Sequence, residues 1–398
     1  QMCIRDRLMG GDVTLPFIAS LVVDYSSRTI DNSIAGSYDV DATSLNWRVM
    51  DDLAIRVSEQ TAVKAPDLGD LFLPQITTFS TAADPCDYRY RDVGRNPEQR
   101  RANCDAEGIP ADFISNVVNA TAQGVTGGNP NLINEVADTK STGLVYQPSW
   151  WGDVLFGSAS FAVDYIEIEL TDYVTSYSLT QNMNACYDYD TYPNSQFCDS
   201  FSRDAEFQVD DFATGLINAG LIDFATYVWK ADWAFDVSEL ASFVSRENVA
   251  MDLGSMAIRY RATQEDFFAS ADSGAAEDLR SATGQFGNDE WFYDTQFEWA
   301  YQDWYVYVQG NSRSGGVIDI DRVYDDEYLG YDGQPIFEFD GYTSWNGGVG
   351  YRVNDGTTLR VNVSNLFDYD GTEDDVFTPE ADLLFYGRSV TASMNVRF

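Results

Sequence analysis

The chain of 398 residues contains no histidine. The commonest general base and the commonest transition-metal ligand are therefore missing, and neither a Ser-His-Asp hydrolase nor a His-ligated zinc site can be assembled. Basic side chains are scarce as well: 24 Lys and Arg face 64 Asp and Glu, a formal charge of -40. Such a surface repels nucleic acid, whose binding depends on neutralising phosphate with cations. No apolar run approaches the roughly 20 residues that a spanning helix needs, which excludes a helical membrane protein. The amino end also lacks the apolar stretch of a secretory signal. Residues 1–11, beginning QMCIRDR, are read as a non-native or disordered leader.

Hydrophobic residues nevertheless make up 44% and aromatics 14%, too apolar a balance for a disordered chain. The acidity has two readings, solvation of exposed loops and attraction of cationic solutes. Among 64 carboxylates chance pairs occur everywhere, so no catalytic pair is assigned, and neither a cofactor nor a metal is expected. The acidic clusters at 319–327 and 368–375 are read as solvated loops, with calcium as the sharper alternative. Four of the five cysteines form two locally spaced pairs in polar, turn-rich segments. That spacing predicts the disulfides Cys86 with Cys104 and Cys186 with Cys198 in an oxidising compartment, against four unrelated thiols.

Periodicity carries the fold. Near the carboxyl end Tyr386, Arg388, Val390, Ala392, Met394, Val396 and Phe398 alternate with Gly387, Ser389, Thr391, Ser393, Asn395 and Arg397. One face is mainly apolar and the other small and polar, the pattern of a strand with a single greasy side. The same split puts Phe297 and Trp299 opposite Gln296 and Glu298, Val349 and Tyr351 opposite Gly348 and Arg352, and Trp229 and Trp233 opposite Lys230 and Asp232. Runs of about 10 alternating residues rich in Trp and Tyr suit strands that cross a bilayer, greasy side on lipid and polar side on a lumen. Lipid tolerates no open sheet edge, so closure into a barrel follows.

Twelve strands are predicted, at 12–27, 34–49, 53–62, 139–149, 153–168, 218–235, 249–262, 290–301, 303–314, 341–353, 357–367 and 385–398. Short links at 50–52, 150–152, 302 and 354–356 alternate with long ones at 63–138, 169–217, 263–289, 315–340 and 368–384, provided that 236–248 is a lengthy turn. Outer-membrane barrels show this alternation of tight inner turns and long outer loops.

Several landmarks then resemble those of TonB-dependent receptors. Ile55, Arg56, Val57 and Ser58, followed by Lys64, Ala65, Pro66 and Asp67, resemble the family's strand that ends in Arg-Ala-Pro before a large outer loop, with lysine where arginine is usual. Gly128, Asn129 and Pro130, with Glu135, Thr139 and Gly143, resemble its Gly-Asn-Pro lead into the next strand, with Asn134 where proline is common. Asn218, Ala219 and Gly220 match a recurrent strand start. Val363, Ser364, Asn365, Leu366, Phe367 and Asp368, with Gly387, Arg388 and the terminal Phe398, resemble the closing hairpin.

The resemblance implies an all-β, antiparallel transmembrane barrel in the outer membrane of a Gram-negative bacterium. Residues 12–398 would supply about the last 12 strands of a barrel of about 22, with long outer loops and the amino-terminal plug missing. It implies a receptor and not an enzyme, one that imports a metal chelate, vitamin or oligosaccharide with TonB-coupled energy. Its partners would be outer-membrane lipid, the TonB complex acting through the plug, and the barrel assembly machinery reading Phe398. Ligand contacts would come from the outer loops, with Phe79, Tyr88, Arg89, Tyr90 and Arg91 in the first and Tyr187, Tyr189, Tyr192 and Phe201 in the second. Loop-on-loop packing is the plainer reading of each. A passive porin-like barrel and a secreted β-rich carbohydrate-binding protein stay open as alternatives.

Overall fold

The computed structural model describes residues 4–6, 17–34, 36–94, 96–247, 250–271, 279–285, 287–317, 338–369 and 387–397. The cluster at 319–327, most of that at 368–375, and Phe398 lie outside these described residues. Twelve long strands follow one another: β1 Ser20–Asn32, β2 Gly36–Met50, β3 Leu53–Lys64, β4 Glu135–Tyr146, β5 Ser158–Ser176, β6 Val209–Asp236, β7 Ser255–Ala271, β8 Trp291–Tyr301, β9 Trp304–Arg313, β10 Tyr342–Asn354, β11 Thr357–Ser364 and β12 Ser389–Val396. Each pairs antiparallel with its neighbour in sequence, making one continuous meander. A three-residue strand, Ile4–Asp6, adds to the free side of β1.

Register shows why the alternation matters. Following the paired residues outward from Leu21, one face carries Trp47, Ile55, Leu144, Val163, Trp229, Ala262 and Tyr293 in a row across eight strands. In the next sector Trp299, Val306, Val349, Val361 and Ala392 continue it. Leu144, Trp229, Val349, Val361 and Met394 are exposed, so among the described residues no second layer covers this belt. A water-soluble sandwich would bury it, because apolar area removed from water stabilises by about 25 cal/mol per Å².

The opposite face is polar and internally paired. Arg56 of β3 donates two hydrogen bonds to Asp164 of β5, at 2.8 and 2.6 Å, passing over Gly143 of β4. A Cβ at Gly143 would stand 2.0 Å from Asp164 Oδ1, so this bridge requires a residue without a side chain. Further along, Arg261 meets Asp232 at 2.7 Å and Arg259 meets Glu298 at 2.7 Å. Gln309 donates to Asp294 at 2.5 Å.

The two faces exchange character toward the outer end. Beyond Tyr165 and Tyr227 the outward row becomes Glu167 and Glu169 on β5, Lys140 and Asp138 on β4, and Glu59 on β3. The inward row gains Ile166, Ile168, Leu170, Ile222 and Phe224. An outward belt that turns charged at one level along several strands is what the edge of a bilayer demands. Strands therefore extend past that level where the simple alternation ends. β5 runs to Ser176 and β7 to Ala271, beyond the sequence-based ends at 168 and 262, and β6 begins at Val209 instead of 218.

Tight links lie at the other end, at 51–52, 302–303 and 355–356, and one more, 33–35, joins β1 to β2 at the outer end. The link expected at 150–152 is longer, 147–157, because one helical turn, Trp151–Val154, precedes β5. The lengthy turn expected at 236–248 contains a helix, α1 Val237–Ser245.

Candidate functional site

The buried apolar core of the described chain lies in the outer loops and not in the ribbon. Segments 65–134 and 177–215 fold together. A small sheet forms where Ile76–Ser80 pairs antiparallel with Ala122–Gly127, whose Val125–Gly127 runs parallel to residues 213–215 at the start of β6. Two loop helices, Pro97–Glu107 and Leu179–Tyr187, pack beside it. Pro97 opens the first with its φ already set, and Gly108 closes it in the left-handed conformation at φ 89°. Ser178 caps the second, its hydroxyl accepting from the Gln181 amide while Gln181 Oε1 accepts from the Ser178 amide.

Two disulfides and two buried ion pairs tie these segments. Cys86 joins Cys104, and Cys186 joins Cys198, each bridge within its own loop. Arg100 crosses between loops and clasps Asp188 with both arms of its guanidinium, at 2.5 and 2.6 Å; the two side chains are only 4% and 3% exposed. The same guanidinium donates to Asn184 Oδ1 at 3.0 Å and to the carbonyl of Tyr90 at 2.9 Å. Arg203 clasps Asp84 at 2.8 Å twice and donates to the Tyr187 hydroxyl at 2.9 Å. Burial opposes the charge on Arg203, and the Asp84 carboxylate outweighs it, so this guanidinium is held more firmly protonated than usual.

Of the aromatic and basic residues singled out in the sequence, Tyr187 and Arg91 belong to this interior. The Tyr187 hydroxyl donates to Glu107, and burial raises its pKa above the ordinary phenol value. Arg91 pairs with Asp105 and donates to the Ile109 carbonyl. Tyr192 stacks on Tyr187 and shares Glu107, and burial followed by that carboxylate pushes its pKa up to about 12. Phe201 and Tyr189 pack against the same cluster. Arg89 binds Asp87 at 2.7 and 2.8 Å and lies between the rings of Tyr88 and Tyr90. Phe79 and Tyr88 are exposed, and with Leu68, Phe72 and Ile76 they leave apolar surface at the outer end.

A cleft of about 420 Å³ opens where both loops meet the start of β6. Gln75 and Asn129 line it from the first loop, Gln196, Asp199 and Ser200 from the second, and Thr214 from the strand. Its polar side chains are amides and hydroxyls with one carboxylate and no cation among the described lining residues, set in a surface that is mostly apolar. That volume and that mixture suit a small solute with both apolar and hydrogen-bonding groups. Sequence reading picked out Asn129 only as part of the Gly-Asn-Pro motif and missed the others, because single polar residues scattered over about 140 positions carry no spacing signal.

The motif residues frame this outer end. Gly128 would drive a Cβ to 2.6 Å from the Leu73 amide, and its own amide donates to the Leu73 carbonyl at 2.9 Å. Asn129 donates from its side chain to Leu216 of β6 at 2.9 Å. Lys64 pairs with the buried Glu135 at 2.8 Å, and Glu135 also accepts from the Val174 amide. Asn218 exchanges hydrogen bonds with Ile133 and reaches the Asp172 carbonyl. At the last hairpin Asn365 turns the chain at φ 52°, and Asp368 accepts from the Arg388 amide at 2.7 Å.

A continuous antiparallel ribbon, apolar outside and polar inside, with a folded cap of loops at one end, defines the class of large outer-membrane barrels. The family model for the TonB-dependent receptor-like β-barrel matches residues 11–366, and the chain belongs to that family, whose barrels are outer-membrane receptors. Nothing matches among curated protein sequences. Similar solved structures include a mutant of the ferric enterobactin receptor from Pseudomonas aeruginosa, at 12% identity and a TM-score of 0.56. That alignment covers 96% of this chain and 43% of the receptor. The siderophore receptor PirA from Acinetobacter baumannii is similar at 14% identity and a TM-score of 0.54, with 95% of this chain and 43% of that one covered. At such identities the likeness concerns the fold, and the chain spans less than half the length of these receptors.

Proposed function

We propose that the intact protein is an outer-membrane receptor that captures a scarce solute, a metal chelate, vitamin or oligosaccharide, and imports it with TonB-coupled energy. The observation that supports this most is the exchange of face character along the meander: a lipid-facing belt below, a charged collar above, and a paired polar lining within. In this reading the belt meets outer-membrane lipid, and Phe398 is recognised by the assembly machinery. The remaining strands close the barrel, and the plug transmits the pull of TonB. The cleft between the two loops receives the solute by hydrogen bonds from amides and hydroxyls, without covalent chemistry. Phe79 and Tyr88 offer exposed apolar contact on the same outer cap.

Energy coupling is the testable core. Uptake of a candidate solute into cells carrying the full receptor is measured with and without a proton uncoupler. Import should stop when the inner-membrane gradient collapses while surface binding persists. Unchanged import in de-energised cells would instead identify a passive porin-like barrel.

A further inference from the structure

The link between β6 and β7 is 18 residues where a tight turn would suffice, and half of it is α1. On this helix Val237, Leu240, Ala241 and Val244 follow the i, i+3, i+4, i+7 spacing of one face, and Phe243 widens it. Ser238, Glu239, Ser242 and Ser245 occupy the other. Val237, Leu240 and Ala241 are half-buried, whereas Phe243 is 52% and Val244 73% exposed, so the apolar side is only partly covered by protein.

Its position decides what covers it. The Phe243 ring lies 5.4 Å from that of Phe156, and Phe156 lies 4.8 Å from Trp233 and 4.9 Å from Phe235. Phe235, Trp233, Met256 and Ile258 belong to the apolar belt of the ribbon, so the helix continues that belt at its inner rim. On the opposite side Glu239 faces a cavity of about 580 Å³ with Asp236, Glu298 and Tyr305, of which Glu298 and Tyr305 stand on the polar face. The helix therefore straddles the rim, greasy side outward and acid inward.

We propose that α1 is an interfacial anchor lying flat in the inner leaflet of the bilayer, with Leu240, Phe243 and Val244 between headgroups and acyl chains. Its occupant is a lipid surface without net negative charge, because the helix carries one acid and no base, whereas anchors for anionic lipid are rich in Lys and Arg. The proposal rests on the reading of the belt as the membrane face. It makes this inner link a second attachment to the membrane beside the strands.

The test places a nitroxide at Val244→Cys, at Glu239→Cys and at Val361→Cys, the last on the belt of β11. The background is Cys3→Ser, in the full receptor reconstituted in phosphatidylcholine vesicles. Collision with oxygen and with a water-soluble nickel chelate is compared at each site. The expected result is a several-fold higher oxygen-to-nickel ratio at Val244 than at Glu239, approaching that at Val361. A nickel-accessible Val244 beside a lipid-exposed Val361 overturns the anchor and leaves the membrane reading intact. An immobilised label at Val244 that meets neither reagent shows a protein occupant and overturns it equally. If Val361 is itself nickel-accessible, the membrane face is wrong and the anchor falls with it.

Discussion

Of the buried arginines in the outer cap, Arg100 and Arg203 reach across between segments: Asp188 holds the first, and Asp84 holds the second with Glu107 3.9 Å away. Burial of an ion pair is weak support for stability as such, but removing one partner strands a charge in low dielectric. Asp84→Ala is therefore expected to destabilise the cap by roughly 3–5 kcal/mol, read as lost amide protection across 84–118 and 179–207 in hydrogen exchange, while the ribbon keeps its own. Asp87 behaves as a pH sensor of the same cap. Burial pushes its carboxyl up, but the Arg89 guanidinium and the amides of Arg89 and Ser115 outweigh that and hold it below the ordinary carboxylate range. A group depressed in the folded state contributes stability above its unfolded pKa, about 3.9, and loses it as pH falls through the lower folded value. Protection of the Ser115 amide should accordingly be constant from neutrality to about pH 4 and drop below it. Asp87→Asn should remove that dependence. Neither long-range pair was legible beforehand: Arg100 and Asp188 are 88 residues apart and Arg203 and Asp84 119, separations that no local pattern reports.

At the scale of elements, the strands were readable because period-two alternation survives wherever one face is greasy and the other polar. It failed where the chain leaves that regime. Above Tyr165 the phase reverses on β5, so the end inferred at 168 falls short of the observed one at Ser176. Helix α1 was hidden for a related reason, since nine residues of mixed character between two strands read as a turn. The loop disulfides belong to this scale too. Each closes a short circuit, 18 and 12 residues, and constrains the unfolded loop by about 3 kcal/mol in the chain-entropy account. Cys86→Ser and Cys186→Ser should each make the outer cap more susceptible to protease by orders of magnitude in cleavage rate, with the ribbon's heat-modified gel mobility unchanged.

For the whole molecule the deciding fact is which face meets lipid. Val361 and Asn362 are adjacent on β11 and point to opposite sides. Arginine at 361 is expected to cost about 2–4 kcal/mol if that position sits near the mid-plane, and arginine at 362 much less, as measured by denaturant unfolding from lipid vesicles. Equal costs would contradict the assignment of faces. The same asymmetry suits so acidic a chain to a membrane: among the described residues the carboxylates sit on the inner face, in the outer collar and in the links, and the central rows of the belt carry none.

Sequence alone determined the secondary-structure class, the number of long strands and the family, because a strand with one apolar and one polar face imposes a residue-by-residue alternation that needs no knowledge of partners. Tertiary structure alone decided where the strands outrun the simple alternation, how two distant loops become one folded cap, and which of their side chains remain on the surface. Tyr187 and Tyr88 are the same residue type in similar acidic surroundings. One is sealed in the interior and the other exposed because burial depends on which segments meet in space, and that is set by contacts between residues far apart in the chain.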